Sequence, residues 1–278
     1  MADRDHSPRI AAAAEAADAT LMVGFNYRFE RTAETVVGAR EAGRFGEVFH
    51  VDANYIRRRG IPDRGTWFTR KAVAGGGSLI DIGVHAIDLA LYLLGYPEVV
   101  EVTGITRSQF GGDEEYASLE MPGDDRGPEG FDVDDSVNAF LRCRDGRTVC
   151  VDVAWATNRT DSDEFVVRGT HSGASFSMVG DEVSFYDADP TNPEEPLPPV
   201  TVETGGEPSH RTEQAYFFDC IAEGREPERN TAEQGLAVQR IIDAVYTSSV
   251  RGRAVRLDET ATQRSDARAV VTDGGTPD

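Results

Sequence analysis

The stretch "GGGSLIDIGVHAIDLALYLLG", residues 75–95, carries the side chains richest in chemistry. Asp81, His85 and Asp88 stand at i, i+4 and i+7, a spacing that puts them on one face of a helix. Leu79, Ile82, Ile87, Leu89, Leu91, Leu93 and Leu94 surround them with apolar surface, so the acid and the imidazole point into a partly dry place. A histidine beside a carboxylate titrates near neutral pH and can pass a proton. The glycine run Gly75–Gly77 lets backbone approach a ligand closely and turn sharply into the helix. The plainer readings are a solvated helix face and a satisfied structural His–Asp contact. Zinc is a further reading, because imidazole and carboxylate both bind it. No third nitrogen or sulfur ligand stands nearby, so no metal is expected.

The elements that must position this stretch are read from period and punctuation. Residues 8–18 form an alanine-rich helix with Pro8 in its first turn. "TLMVGF", residues 20–25, reads as a short apolar strand buried on both faces. A helix over about 30–43 stops at Gly43, and residues 46–58 alternate as a strand. Residues 59–74 are a loop, and the helix over about 78–94 ends at Gly95 and Pro97. The period then changes to two, with strands near 98–110, 134–143, 147–157, 163–170, 173–179 and 182–187. An acidic insertion at 111–130, a proline-rich connection at 187–199 and a loose tail from 258 interrupt or end the pattern. Two helices, about 209–223 and 231–251, close the chain. The class is α+β: a large open, mostly antiparallel sheet with helices on one face.

Composition narrows the partners. The 278 residues carry a net charge of −21, and Lys71 is the one lysine among 28 basic residues. Acid excess with almost no lysine reads as adaptation to a salt-filled cytoplasm, where a carboxylate-rich surface stays hydrated and its self-repulsion is screened. A GC-rich genome would explain the missing lysine but not the excess acid. The charge argues against nucleic acid and anionic membranes, and no run of 18 apolar residues suggests a membrane span. The first twenty residues lack the pattern of a signal peptide. Three cysteines, Cys143, Cys150 and Cys220, suit a reducing cytoplasm. With Asp145-Gly146 as a two-residue turn, Cys150 would face Leu141 and Cys143 would face Thr148, so neither a disulfide nor a metal site is expected there.

The quoted stretch resembles the signature of the Gfo/Idh/MocA oxidoreductases, the family of glucose–fructose oxidoreductase and inositol dehydrogenase. The family pattern GG-x-L-x-D-x-G-x-H-x-x-D is matched at Gly76, Gly77, Leu79, Asp81, Gly83, His85 and Asp88. "LMVGFNYRF" at 21–29 is similar to the last Rossmann strand and its exit, "AGRFGEVFHVDANY" at 42–55 to the start of the second domain, and residues 216–257 to the closing helices. The resemblance implies an NAD- or NADP-dependent dehydrogenase acting on a sugar, cyclitol or related polyol, and a homo-oligomer. It also implies roles. His85 would be the acid/base group, and Asp81 would bind a substrate hydroxyl. Asn26 and Arg28 would approach the nicotinamide or substrate, against the plain readings of a turn cap and a surface arginine. Arg57, Trp67 and Gly77 would border the substrate, and Tyr55 either the pocket or the sheet face.

Two family features are missing. No G-x-G-x-x-G occurs in the chain, and the E-K-P motif is absent. Lys71 stands in the wrong segment to replace that motif's lysine and reads as a solvated loop residue. The resemblance therefore implies that residues 1–29 are a remnant of the Rossmann domain, 30–257 the substrate-binding and oligomerisation domain, and 258–278 a loose tail. The alternative to a dehydrogenase is a non-catalytic fragment, an oligomerisation or ligand-binding module without nucleotide binding.

Overall fold

Alternation of buried and open residues builds the central sheet. The computed structural model describes residues 6–119, 123–188 and 197–257. In chain order it contains α1 (His6–Ala16), a 3-10 turn (Asn26–Phe29), α2 (Arg31–Glu41) and β1 (Val48–Ile56). A second 3-10 turn (Trp67–Thr69), α3 (Lys71–Ala74), a π-helical turn (Leu79–Gly83) and α4 (Val84–Leu93) follow. Then come β2 (Val99–Arg107), β3 (Ser136–Cys143), β4 (Thr148–Ala154), β5 (Glu164–Gly169), β6 (Ser172–Ser177), β7 (Glu182–Asp187) and β8 (Val200–Glu203). The helices α5 (Ser209–Glu223) and α6 (Ala232–Arg251) and the short β9 (Val255–Arg256) complete it.

The nine strands form one sheet in the order β8-β7-β6-β5-β1-β4-β3-β2-β9. Every neighbour pair is antiparallel except β1 and β4, which run parallel. A parallel pair needs a crossover, and here the crossover carries α4 onto the sheet. One face is apolar: Val51, Ala53, Val137, Leu141, Val149, Val151, Phe165, Val167 and Phe176 are all buried. α4 covers it, itself buried nearly all round through Ala86, Ile87, Leu89, Ala90, Leu91 and Leu93, and packs against β1, β4, α2 and α6. This is the expected α+β architecture. The stretch Lys71–Leu93 is long and apolar enough on composition to cross a bilayer, but its apolar window is 72% buried inside the fold, as a core helix is.

The closing helices end where local chemistry ends them. Thr231 and Gln234 form a reciprocal capping box at the start of α6. Gly224 and Gly252 stop α5 and α6 in the left-handed conformation, at φ 66° and 62°.

Three expectations are corrected. Residues 20–25 are not a strand: among the described residues no strand pairs with them, and Val23 N donates to Asn230 O at 2.7 Å. The β3–β4 loop spans three residues, 144–146, with Gly146 at φ 90°, as in a hairpin closed by a left-handed third residue. The register moves by one, so Cys150 lies opposite Phe140 rather than Leu141; the three thiols are free. The exposed edge strand β8 was not foreseen. Residues 189–196 of the proline-rich connection and the tail from 258 lie outside the described residues.

Candidate active site

Asp134 organises the entry to the π turn. Its Oδ1 accepts from Gly77 N at 2.9 Å and Tyr246 OH at 2.7 Å; its Oδ2 accepts from Ser78 Oγ and Leu79 N, each at 2.9 Å. Its backbone carbonyl accepts from Ser78 N. A carboxylate thus satisfies N–H groups that the helix start leaves free. The fit explains the glycines. A Cβ on Gly77 would lie 1.9 Å from the Asp134 carbonyl oxygen, and one on Gly76 2.0 Å from the Tyr246 hydroxyl. The close approach at Gly77 is therefore to the protein's own backbone.

The π turn also changes which faces its acids share. A wider turn rotates Asp81 away from the stripe that an unbroken α-helix would give. Asp81 meets Trp155, whose Nε1 donates to Oδ2 at 2.9 Å, and lies 3.9 Å from Arg57 Nη1. Asp88 instead points inward, where Arg28 Nε and Nη2 donate to its two oxygens at 2.8 and 2.5 Å. The expectation of a three-residue face therefore fails at Asp88.

His85, one residue into α4, sits among side chains from four elements. The Tyr27 ring meets it edge-on at 5.2 Å. Tyr27 OH lies 3.3 Å from Tyr55 OH, which accepts from Arg57 Nη2 at 3.2 Å. His85 Nδ1 is buried, and among the described residues no group hydrogen-bonds it. Burial lowers the imidazole pKa below the ordinary 6.5; the Asp81 charge raises it, and His210 lowers it further. The group is therefore neutral at physiological pH. Such an imidazole can accept a proton, and the Asp81 carboxylate stabilises the cation that results. Burial, reinforced by Tyr55, holds the Tyr27 phenol protonated.

The remaining expected residues divide. Arg57 joins the site through Asp81 and Tyr55. Trp67 is 60% exposed and stands at the outer end of an aromatic ladder, edge-on to Phe68, which stacks on Trp155. Arg28 is wholly buried, bonded also to Gln234 Oε1 and Tyr96 OH. It does not face solvent, which corrects its reading as a surface arginine. Asn26 is buried too, its amide donating to Ser209 Oγ at 3.0 Å and tying the 3-10 turn to α5. Sequence reasoning missed Trp155 and Tyr27; Tyr27 lay beside two residues that were singled out. Lys71 lies in a groove of about 800 Å³ with Asp132, Gln239 and Tyr246. Asp81 and His85 do not line that groove.

Comparison with known proteins follows the same lines. The family model described as GFO/IDH/MocA C-terminal domain matches residues 34–175. D-glucoside 3-dehydrogenase of Escherichia coli (strain K12) is 26% identical over 237 residues, covering 85% of this chain and 64% of the relative. D-xylose 1-dehydrogenase (NADP(+)) 2 of Haloferax volcanii is 28% identical over 257 residues, covering 88% of this chain and 66% of the relative. The chain thus spans slightly less than two thirds of these two relatives. A levoglucosan dehydrogenase solved with NADH and levoglucosan has a TM-score of 0.75 at 26% identity, over 91% of this chain and 70% of that one.

Proposed function

The chain belongs to the GFO/IDH/MocA family, and on that premise we propose that it carries the sugar-binding and proton-transfer chemistry of an NAD(P)-dependent sugar dehydrogenase. The observation that carries this reading is a neutral, half-buried His85 whose Nδ1 no protein group hydrogen-bonds, next to the Asp81 carboxylate. Asp81, fixed by Trp155 and flanked by Arg57, accepts a hydrogen bond from a sugar hydroxyl and orients it. His85 takes the hydroxyl proton as the carbon is oxidised. Phe68, half-buried and backed by the fully buried Trp155, supplies an apolar surface of the kind a sugar ring's C–H face packs against. Relatives named for glucoside, xylose and levoglucosan support a sugar as substrate class.

A bound nicotinamide would supply the hydride acceptor for the sugar carbon. The residues of this chain do not fit its phosphates: G-x-G-x-x-G is absent from the sequence, and Asn26 and Arg28 are committed to Ser209 and Asp88. The relatives carry both NADH and NADP(+) in their names.

Sugar binding can be tested without cofactor, because the chain has two tryptophans and one of them holds Asp81. In Trp67→Phe, an aldose or glycoside is expected to change Trp155 emission saturably. Adding Asp81→Asn weakens that binding by roughly 10- to 100-fold, the value of a hydrogen bond to a charged group. Undiminished binding in the double variant would remove Asp81 from the sugar site.

We propose self-association as a second property. The sheet face away from α4 exposes Ile105, Phe140 and Tyr186 at 47%, 38% and 45%, separate apolar side chains that another copy would cover. Light scattering in molar KCl is expected to give an oligomer that Phe140→Glu dissociates. A monodisperse monomer of the unaltered chain would contradict this.

A further inference from the structure

On that same open face, β1 and β4 run parallel with His50 beside Thr148 and Asp52 beside Cys150. Residues two apart on a strand share a face, so imidazole, carboxylate and thiol converge from two adjacent strands. Their ligand atoms all lie within 4.8 Å of one another, with His50 Nε2 only 3.0 Å from Asp52 Oδ1. Ligands around a tetrahedral zinc at about 2.0–2.3 Å are separated by roughly 3.5 Å, so small side-chain adjustments suffice. The surroundings hold the donors in place. His50 Nδ1 is 2.7 Å from Thr148 Oγ1, which fixes the ring and presents Nε2, the arrangement that orients metal-bound histidines. Arg168 Nη2 bonds Asp52 Oδ2 and leaves Oδ1 for the cluster. The His50 and Asp52 side chains are 12% and 24% exposed.

We propose that His50, Asp52 and Cys150 form a zinc site, with a water at the fourth position. The site is separate from His85 and does not rest on the dehydrogenase reading. Thiolate and imidazole donors select zinc-like cations over magnesium and calcium. As the sulfur–metal bond forms, the Cys150 S–H proton passes to solvent; no oxidant or reductant takes part. Bound metal would pin β1 to β4 in the middle of the sheet.

Cobalt(II) is the probe, because thiolate coordination to it gives a near-ultraviolet charge-transfer band. The full chain, freed of metal by chelator, is expected to bind one cobalt per chain with that band and to yield it to zinc. Cys150→Ser abolishes the band. Thr148→Val, which keeps all three donors, weakens binding by roughly 10- to 100-fold, and His50→Gln by at least as much. Absence of the band in the unaltered chain, or a band of full strength in Cys150→Ser, would overturn the proposal. Should Cys150→Ser fail to fold, undiminished cobalt affinity in both Thr148→Val and His50→Gln would overturn it equally.

Discussion

His85→Asn is expected to lower kcat for NAD(P)-linked sugar oxidation by roughly 10²- to 10⁴-fold, the usual contribution of a positioned acid/base group. The melting temperature should scarcely move, because Nδ1 makes no hydrogen bond to lose and asparagine leaves no large cavity. The assay uses the protein as isolated from its source, so that whatever holds the nucleotide is present. Activity of the unaltered protein should fall as pH drops through a value below 6.5, since burial, opposed by Asp81 and aided by His210, depresses the folded pKa of His85. The sign for stability is the same. The unfolded chain takes up the proton near 6.5 and the folded one only below that, so acidification through this window favours unfolding. Turnover unchanged in His85→Asn would remove the imidazole from the chemistry.

The second large effect concerns Arg28→Met, expected to cost about 3–5 kcal/mol because it strands the Asp88 carboxylate in the core. Burial alone pushes Asp88 up and pulls Arg28 down. The two short hydrogen bonds between them act the other way, and Arg28 ends above its ordinary value. The bidentate geometry is that of a charged pair. Arg28 also holds Gln234 of α6 and Tyr96, and lies over the rings of Phe25, Tyr92 and Tyr96. It therefore fastens the 3-10 turn that carries Tyr27 to the helix that carries His85. Arg28→Met with Asp88→Leu should lie much nearer the unaltered chain than either single change, because no charge is left unpaired. Urea midpoints in molar salt measure this. A cost below about 1 kcal/mol for Arg28→Met would mean that the pair does not anchor the site.

What the sequence made legible follows from the range of each interaction. α5 and α6 could be read to within a residue because Thr231, Gln234, Gly224 and Gly252 act within one turn of the helix ends. Strands β2 to β7 could be read because burial alternates along them. Asp81 and His85 were visible as neighbours, and Arg57 does reach Asp81. The π turn was invisible: it depends on Asp134, more than fifty residues away, capping Gly77 and Leu79. Arg28 and Asp88 are 60 residues apart, and no local spacing joins them. Trp155 meets Asp81 across 74 residues; its position at the end of an alternating strand was the one available hint. The slip in the β3–β4 register had a local cause, a left-handed Gly146 that adds one residue to the loop.

The most direct test of the site is an NMR titration of His85, identified by comparison with His85→Asn, with and without an aldose or glycoside. A pKa below 6.5 that shifts when sugar binds is the predicted result, since the hydroxyl brings a partner to the imidazole. A resonance that titrates at the ordinary value and ignores every sugar tested would contradict a proton-transferring His85.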